Sequence, residues 1–377
     1  MKKSLIALAA VAATSAFAQS SVTLYGRMDL GTSSITTDTT TAGVTGSVKA
    51  TSLAGAQGMY TGGRLGVRGT EDLGGGLKAN FVIETRVNPD ANANPTFGGT
   101  RTAMLQVAGD FGSVAVGTYL NPFDDVRLSA GTYNVPGAWT LDKVHGGTTG
   151  FNARSIDSLG YRSPVFGGGF SASFGLSGEK GTSSTVAPVT EVGGYIASVA
   201  YANGPIAAVA AFGQGKGKSS TAANPGTLNS PGVLGSLPAA ATSTEASVKD
   251  FGFRFSYNFG MAVPYLSYES STASSTNLIG NTSNGNTASR GFEIGSNFPM
   301  GAFTPYFVFA NNKSTPTNGA GVAGNATKTN AFQLGTKYDL SKRTYMYGGY
   351  GVSTNKVDVT NNQVKTSGYA LGLVHSF

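Results

Sequence analysis

Apolar and polar residues alternate with a period of two from Ser20 to Phe377. In Val22-Thr23-Leu24-Tyr25-Gly26-Arg27-Met28-Asp29-Leu30, one parity is apolar or glycine and the other carries the polar and charged groups. Leu77, Ala79, Phe81 and Ile83 interleave with Lys78, Asn80, Val82 and Glu84, and Phe251, Phe253, Phe255 and Tyr257 with Gly252, Arg254, Ser256 and Asn258. A period of two is a β-strand with one greasy and one polar face. Arg64, Arg68, Glu293, Lys337 and Asp339 also fall on the parity opposite their apolar neighbours. Lipid contact enforces such a rule, because an Arg or Lys facing mid-bilayer costs roughly 2–4 kcal/mol. A soluble β-sandwich alternates as well, so the pattern alone leaves both architectures open.

Punctuation separates them. Seven compact turn signals recur: Glu71-Asp72-Leu73-Gly74-Gly75-Gly76, Gly109-Asp110-Phe111-Gly112, Pro164-Val165-Phe166-Gly167-Gly168-Gly169, Asn203-Gly204-Pro205, Asn258-Phe259-Gly260, Phe298-Pro299-Met300-Gly301 and Asp339-Leu340-Ser341-Lys342-Arg343. Gly, Pro, Asn and Asp supply the positive or fixed φ such turns need. Eight longer polar segments lie between them, near 32–59, 87–100, 120–153, 178–192, 213–248, 270–289, 311–328 and 352–367. Short and long connections alternate strictly, which joins sixteen strands and puts both termini on the short-turn side. A sandwich has no reason to sort connections by length, whereas a transmembrane barrel does. The expectation is therefore an all-β fold, a 16-stranded antiparallel transmembrane β-barrel closed so that no sheet edge is left. Tyr119, Tyr161, Tyr201, Tyr265, Tyr268, Phe298, Tyr306, Tyr345, Tyr347, Tyr369 and Phe377 sit near strand ends, where interfacial girdles are expected.

Composition narrows the function. Only 12% of the 377 residues are charged, against roughly a quarter in soluble domains, while 21 Phe and 16 Tyr exclude a disordered chain. The absence of cysteine excludes disulfides and thiolate metal sites, and two distant histidines, His145 and His375, give little to hold a metal. Lys2 and Lys3, an apolar run from Leu5 to Ala13 and Ala16-Phe17-Ala18 read as a secretory signal over residues 1–18. That run is too short to span about 30 Å of hydrocarbon. It leaves 19–377 as the barrel domain. Removing the signal takes two of the 26 Lys and Arg, and the rest still outnumber the 19 Asp and Glu. This modest excess is too diffuse for a nucleic-acid surface.

Several stretches resemble Gram-negative general porins, the betaproteobacterial branch above all. They are Ser21-Val22-Thr23-Leu24-Tyr25-Gly26, the run from Arg64 to Ala79, Gly109-Asp110-Phe111-Gly112, Leu340-Ser341-Lys342-Arg343-Thr344 and the ending Gly372-Leu373-Val374-His375-Ser376-Phe377. The terminal Phe377, behind alternating Tyr369, Leu371 and Leu373, resembles the signal read by outer-membrane insertion machinery. The resemblance implies a homotrimer in the outer membrane, with short periplasmic turns and long extracellular loops, passing small hydrophilic solutes and ions without a cofactor. It further implies that the third long loop, here Leu120 to Ala153 with Asp124 and Asp125, folds into the lumen as the constriction. The facing basic wall would be Arg27, Arg64, Arg68 and Arg154, with Arg101, Arg162 and Lys337 as further candidates. An acidic loop against a basic wall makes a transverse field that orients polar solutes and weights ions by sign. Where the branch commonly carries Arg or Lys on the wall, this chain has Thr118, Gly160 and Val374, so the expected anion preference is weak.

Enzyme readings find little support. No Gly-x-Ser-x-Gly elbow appears at a strand–helix junction. Gly213-Gln214-Gly215-Lys216-Gly217-Lys218-Ser219 lacks the phosphate-loop glycine at position 212, which is Phe. No Asp/Asn ladder has calcium-loop spacing. The alternatives left standing are a substrate-specific outer-membrane channel and, from a different class, a secreted soluble β-rich adhesin.

Overall fold

The computed structural model describes residues 21–53, 62–87, 97–121, 123, 126, 154–182, 189–221, 242–277, 282–358, 360 and 362–377. Residues 1–18, read above as a signal, lie outside them. The chain forms seventeen strand segments: β1 (Ser21–Thr41), β2 (Val44–Leu53), β3 (Gly63–Gly74), β4 (Leu77–Val87), β5 (Phe97–Gly109), β6 (Gly112–Leu120), β7 (Arg154–Arg162), β8 (Phe170–Thr182), β9 (Val189–Asn203), β10 (Ile206–Thr221), β11 (Thr242–Tyr257), β12 (Val263–Asn277), β13 (Thr282–Asn297), β14 (Phe303–Thr317), β15 (Thr327–Asp339), β16 (Thr344–Val357) and β17 (Gln363–Ser376). The strands pair antiparallel with their neighbours along the chain, and β1 pairs β17 to close the ring. The count of seventeen reduces to sixteen staves because β2 and β3 share one position. β2 pairs the far half of β1 from Thr32 to Thr41, and β3 pairs its near half from Ser21 to Arg27.

The seven short turns fall where the Gly-, Pro- and Asn-rich signals place them, with positive φ at Gly74, Gly75, Gly76, Gly204, Gly260 and Gly301. The long-loop side differs from expectation. The segment near 32–59 is not all loop: β1 runs on to Thr41, turns at Ala42-Gly43 and returns as β2. Likewise β10 continues to Thr221, β11 begins at Thr242 and β14 continues to Thr317. These extensions are rich in Ser and Thr. Beyond the hydrocarbon no outward residue need be apolar, so the alternation fades while backbone pairing and the strand preference of β-branched Thr persist.

Inside the apolar band the outward face holds Leu24, Ile83, Leu105, Val116, Phe174, Phe251, Leu266, Ile294, Leu334 and Leu371, all exposed. Asp29, Glu84, Asp250 and Glu293 take the other face, buried on the inward parity. The seam closes at Phe377, which exchanges two backbone hydrogen bonds of 3.1 Å with Gly26 and lays its ring over that glycine.

Tyrosine placement corrects the girdle expectation. Tyr161, Tyr201, Tyr268 and Tyr369 share the outward parity, but Tyr119, Tyr265, Tyr306, Tyr345 and Tyr347 turn inward. Four inward tyrosines lie flat on the glycine directly opposite on the next strand: Tyr25 on Gly66, Tyr265 on Gly295, Tyr306 on Gly335 and Tyr347 on Gly372. The glycine is required there because a Cβ would meet the ring.

Candidate pore-lining site

The basic wall assembles on β1, β3, β4 and β5. Arg27 stands directly opposite Arg64 across β1 and β3, and Arg64 opposite Arg86 across β3 and β4. Three arginines thus occupy one row over three neighbouring strands, an arrangement that like-charge repulsion disfavours. Glu84, two residues before Arg86, relieves it. Its carboxylate takes the Arg101 Nε at 2.7 Å, the Tyr25 hydroxyl at 3.1 Å and the Arg64 Nη1 at 3.8 Å. Arg68 is exposed and lies over the Tyr25 ring, 5.3 Å from its centroid. Arg101 reaches Glu84 because the β4–β5 register slips around Thr85, with Gly99 at φ 72°. Such a bulge re-aims the side chain beside it.

Of the four expected wall arginines, Arg27, Arg64 and Arg68 therefore come together. Arg154 opens β7 across from Leu120, and its side chain lies outside the described residues. Arg86 was missed, although it shares the parity of Lys78 and Glu84. The alternation read on β4 stopped one pair short of it. Lys337 is held by Asp339 at 2.8 Å near the short-turn rim rather than in this cluster. Two positions where the resemblance expects wall cations also move. Thr118 pairs Ala103 on the outward face, whereas Val374 is inward but buried against Tyr306, Val308, Tyr347 and Ala370.

The opposite wall is acidic and apolar. β11 lies eight staves from the β2–β3 stave, half of the circumference away. Asp250, Glu269 and Glu293 sit on the inward parity of β11, β12 and β13, all buried, and Glu293 accepts the Tyr265 hydroxyl at 2.7 Å. Arg254 lies over the Tyr265 ring at 4.8 Å. Beside these, the inward face is unexpectedly apolar, with Ile196, Val209, Ala211, Val248 and Ala273.

The chain leaving β6 explains that apolar patch. Phe123 and Val126, 1% and 0% exposed, pack into it from the lumen side. Asn121 starts the inward bend by accepting the Phe123 N–H on its side-chain oxygen at 2.9 Å, and Phe123 in turn accepts the Val126 N–H at 3.1 Å. Gly252 of β11 is the floor of the seat, since a Cβ there would stand 2.7 Å from Val126 and 2.9 Å from Phe123. At Phe123 and Val126 the chain after β6 thus stands inside the barrel, against the far wall. Asp124 and Asp125, between the two anchors, lie outside the described residues.

A closed antiparallel barrel with a lipid-facing band, a charged interior and a connection folded inward defines a pore-forming membrane protein. Comparison with known proteins gives its family. The Gram-negative porin family matches residues 4–358, and the chain belongs to it. It is 31% identical over 366 residues to outer membrane porin protein 32 of Delftia acidovorans, covering 94% of this chain and 90% of that one. It is 26% identical over 422 residues to an outer membrane porin protein of Bordetella pertussis, covering 100% of both chains. Among solved structures, an anion-selective porin from Comamonas acidovorans shares the fold, with a TM-score of 0.63 at 24% identity, over 95% of this chain and 100% of that one. A trimer form of OmpT from Vibrio cholerae does so with a TM-score of 0.61 at 14% identity, over 95% and 99%. The protein is an outer-membrane porin, a water-filled channel for passive diffusion of small hydrophilic solutes and ions.

Proposed function

We propose that the pore is a general diffusion channel with a weak anion preference, set where Arg27, Arg64 and Arg68 face the loop after β6, and that it works without a catalytic step. The observation that carries this is the row Arg27–Arg64–Arg86 with Arg68 and Arg101 beside it, which Glu84 neutralises only in part. A surplus of fixed positive charge concentrates anions at that wall, while the carboxylates of β11–β13 oppose it across the lumen and hold the preference down. The similar porin from Comamonas acidovorans is anion-selective, which agrees with this sign. Reversal potentials across a planar bilayer under a salt gradient test it. The wild type is expected to favour anions, and Arg68→Glu is expected to lower the anion-to-cation permeability ratio about twofold or more. A cation-favouring wild type, or an unchanged ratio in the variant, would remove the proposed role.

We further infer a homotrimer that contacts lipid on one side of each barrel only. The outward face from β1 to β6 is mostly aliphatic, carrying Val22, Leu24, Val67, Leu105, Val114 and Val116 with Phe81 and Phe97 among them, whereas aromatic side chains crowd the outward face from β8 to β17. Aromatic belts serve a lipid interface, so the arc poorer in them fits contact with other barrels. The signal-like pattern of residues 1–18 supports maturation by cleavage before Gln19.

A further inference from the structure

On the outer surface of β13–β16, four cations stand in a single row. Arg290 of β13 is the register partner of Lys313 on β14, Lys313 of Lys328 on β15, and Lys328 of Lys356 on β16. Each shares the outward parity of its strand with an exposed apolar side chain, respectively Phe292, Phe303, Leu334 and Tyr350. All four cations are exposed as well. Like charges directly opposite one another destabilise a sheet, and neighbouring strands stand only about 4.8 Å apart. Elsewhere on the outer surface the chain avoids this: Lys218 of β10 faces Glu245 of β11 at 3.4 Å. Within the row, Asp358 takes the Lys328 Nζ at 2.9 Å. Arg290, Lys313 and Lys356 have no ion pair among the described residues, so the row keeps a surplus of positive charge.

The height of the row on the barrel decides what it meets. Along β15 the outward residues run from Tyr338 through Leu334, Phe332 and Asn330 to Lys328. At the usual rise of a tilted barrel strand, Lys328 stands roughly 26 Å above Tyr338. The apolar band of an outer-membrane barrel is about 25 Å tall. Tyr338 lies beside the short turn into β16, so the row lies at the opposite border of the band, on the long-loop side. Phe292 and Phe309, ring centroids 6.0 Å apart, form the last aromatic layer beneath it. Four charges at that level face the headgroups of the outer leaflet, neither acyl chains nor the lumen.

We propose that the row Arg290–Lys313–Lys328–Lys356 is a binding site for an outer-leaflet lipid whose headgroup carries more than one phosphate. The site goes beyond the channel reading and does not depend on which ions the lumen prefers. The Arg290 guanidinium presents a planar fork that matches phosphate oxygens, and the three ammonium groups act as compact donors beside it. Their separation along the row suits two phosphates better than one, since a single phosphate meets at most the neighbours on adjacent strands. Phe292, Phe309 and Phe332 continue below as a surface for the acyl chains of the same molecule. An anion seated across the row also removes the like-charge repulsion that the bare sheet carries.

Native mass spectrometry of the whole detergent-solubilised protein, titrated with lipid A as a bisphosphorylated lipid, tests this. Lipid A is expected to bind about tenfold more tightly than phosphatidylethanolamine. Lys313→Gln with Lys328→Gln is expected to weaken lipid A binding about tenfold. Lys216→Gln with Lys249→Gln removes two outward cations of β10 and β11 that stand outside the row, and is expected to leave binding unchanged. Inorganic pyrophosphate at the same concentration is expected not to displace the lipid. Wild-type affinity in the Lys313/Lys328 variant, or an equal loss in the Lys216/Lys249 variant, overturns the site. Phosphatidylethanolamine binding as tightly as lipid A overturns the phosphate preference, and displacement by pyrophosphate shows a free-anion site in place of a lipid site. Should the Lys313/Lys328 variant yield no folded barrel, Arg290→Gln with Lys356→Gln carries the same expectation and decides.

Discussion

At the scale of single residues, the lumenal wall is held by tyrosines seated on glycines and tied to carboxylates. Tyr347 lies on Gly372 and donates to Asp29 at 3.0 Å, while Asp29 also takes the Gly62 N–H at 3.2 Å. One residue type thus covers bare backbone and satisfies a buried charge together. Two substitutions separate these roles. Gly372→Val drives a side chain into the Tyr347 ring, and overpacking of that kind costs about 1–3 kcal/mol. Tyr347→Phe keeps the packing but takes one donor from buried Asp29, also about 1–3 kcal/mol. Both are expected to lower the urea midpoint of the detergent-solubilised barrel, with Gly372→Val additionally shifting near-ultraviolet tyrosine dichroism. These seats were invisible in sequence, where Tyr265, Tyr306 and Tyr347 read as girdle residues. Parity within a strand says which neighbours share a face, but the register across strands says which glycine each ring meets.

At the scale of elements, the loop after β6 has its own foundation. The apolar inward residues of β9–β12 contradict a uniformly polar lumen until Phe123 and Val126 cover them. Gly252→Leu occupies that seat from the wall side, and Phe123→Ser with Val126→Ser empties it from the loop side. Each is expected to release the loop and raise single-channel conductance, with larger current noise, while the barrel still resists unfolding in detergent. Conductance and noise equal to wild type in both would show that the seat does not position the loop. The arginine row belongs to this scale too. Arg27, Arg64 and Arg68 were legible as same-parity charges on adjacent strands, but their convergence on Glu84 follows from the β3–β4 pairing and from the bulge that turns Arg101 inward.

At the scale of the whole molecule, the barrel has two unlike outer arcs and two unlike inner walls. The mostly aliphatic arc from β1 to β6 backs the arginine wall, and the aromatic-rich arc backs the acidic wall and the loop seat. If the aliphatic arc packs against other barrels, a bulky residue there is harmful although lipid would accept it. Val67→Trp is expected to convert trimers to monomers in semi-native electrophoresis, whereas Leu334→Trp on the aromatic arc leaves them intact. Equal mobility of the two variants would count against a barrel–barrel contact on the β1–β6 side.

The chain by itself determined the strand period, the seven tight turns and the sorting of short from long connections, because lipid on one face and water on the other impose a residue-by-residue rule on every stave. It also determined which side of each stave its charges take. Only the closed ring decided where the rings and charges meet. Bringing β1 to β17, β3 to β4 and the loop after β6 to β11 is a matter of pairing, bulges and long-range packing, and those contacts join residues whose separation along the chain carries no periodic trace.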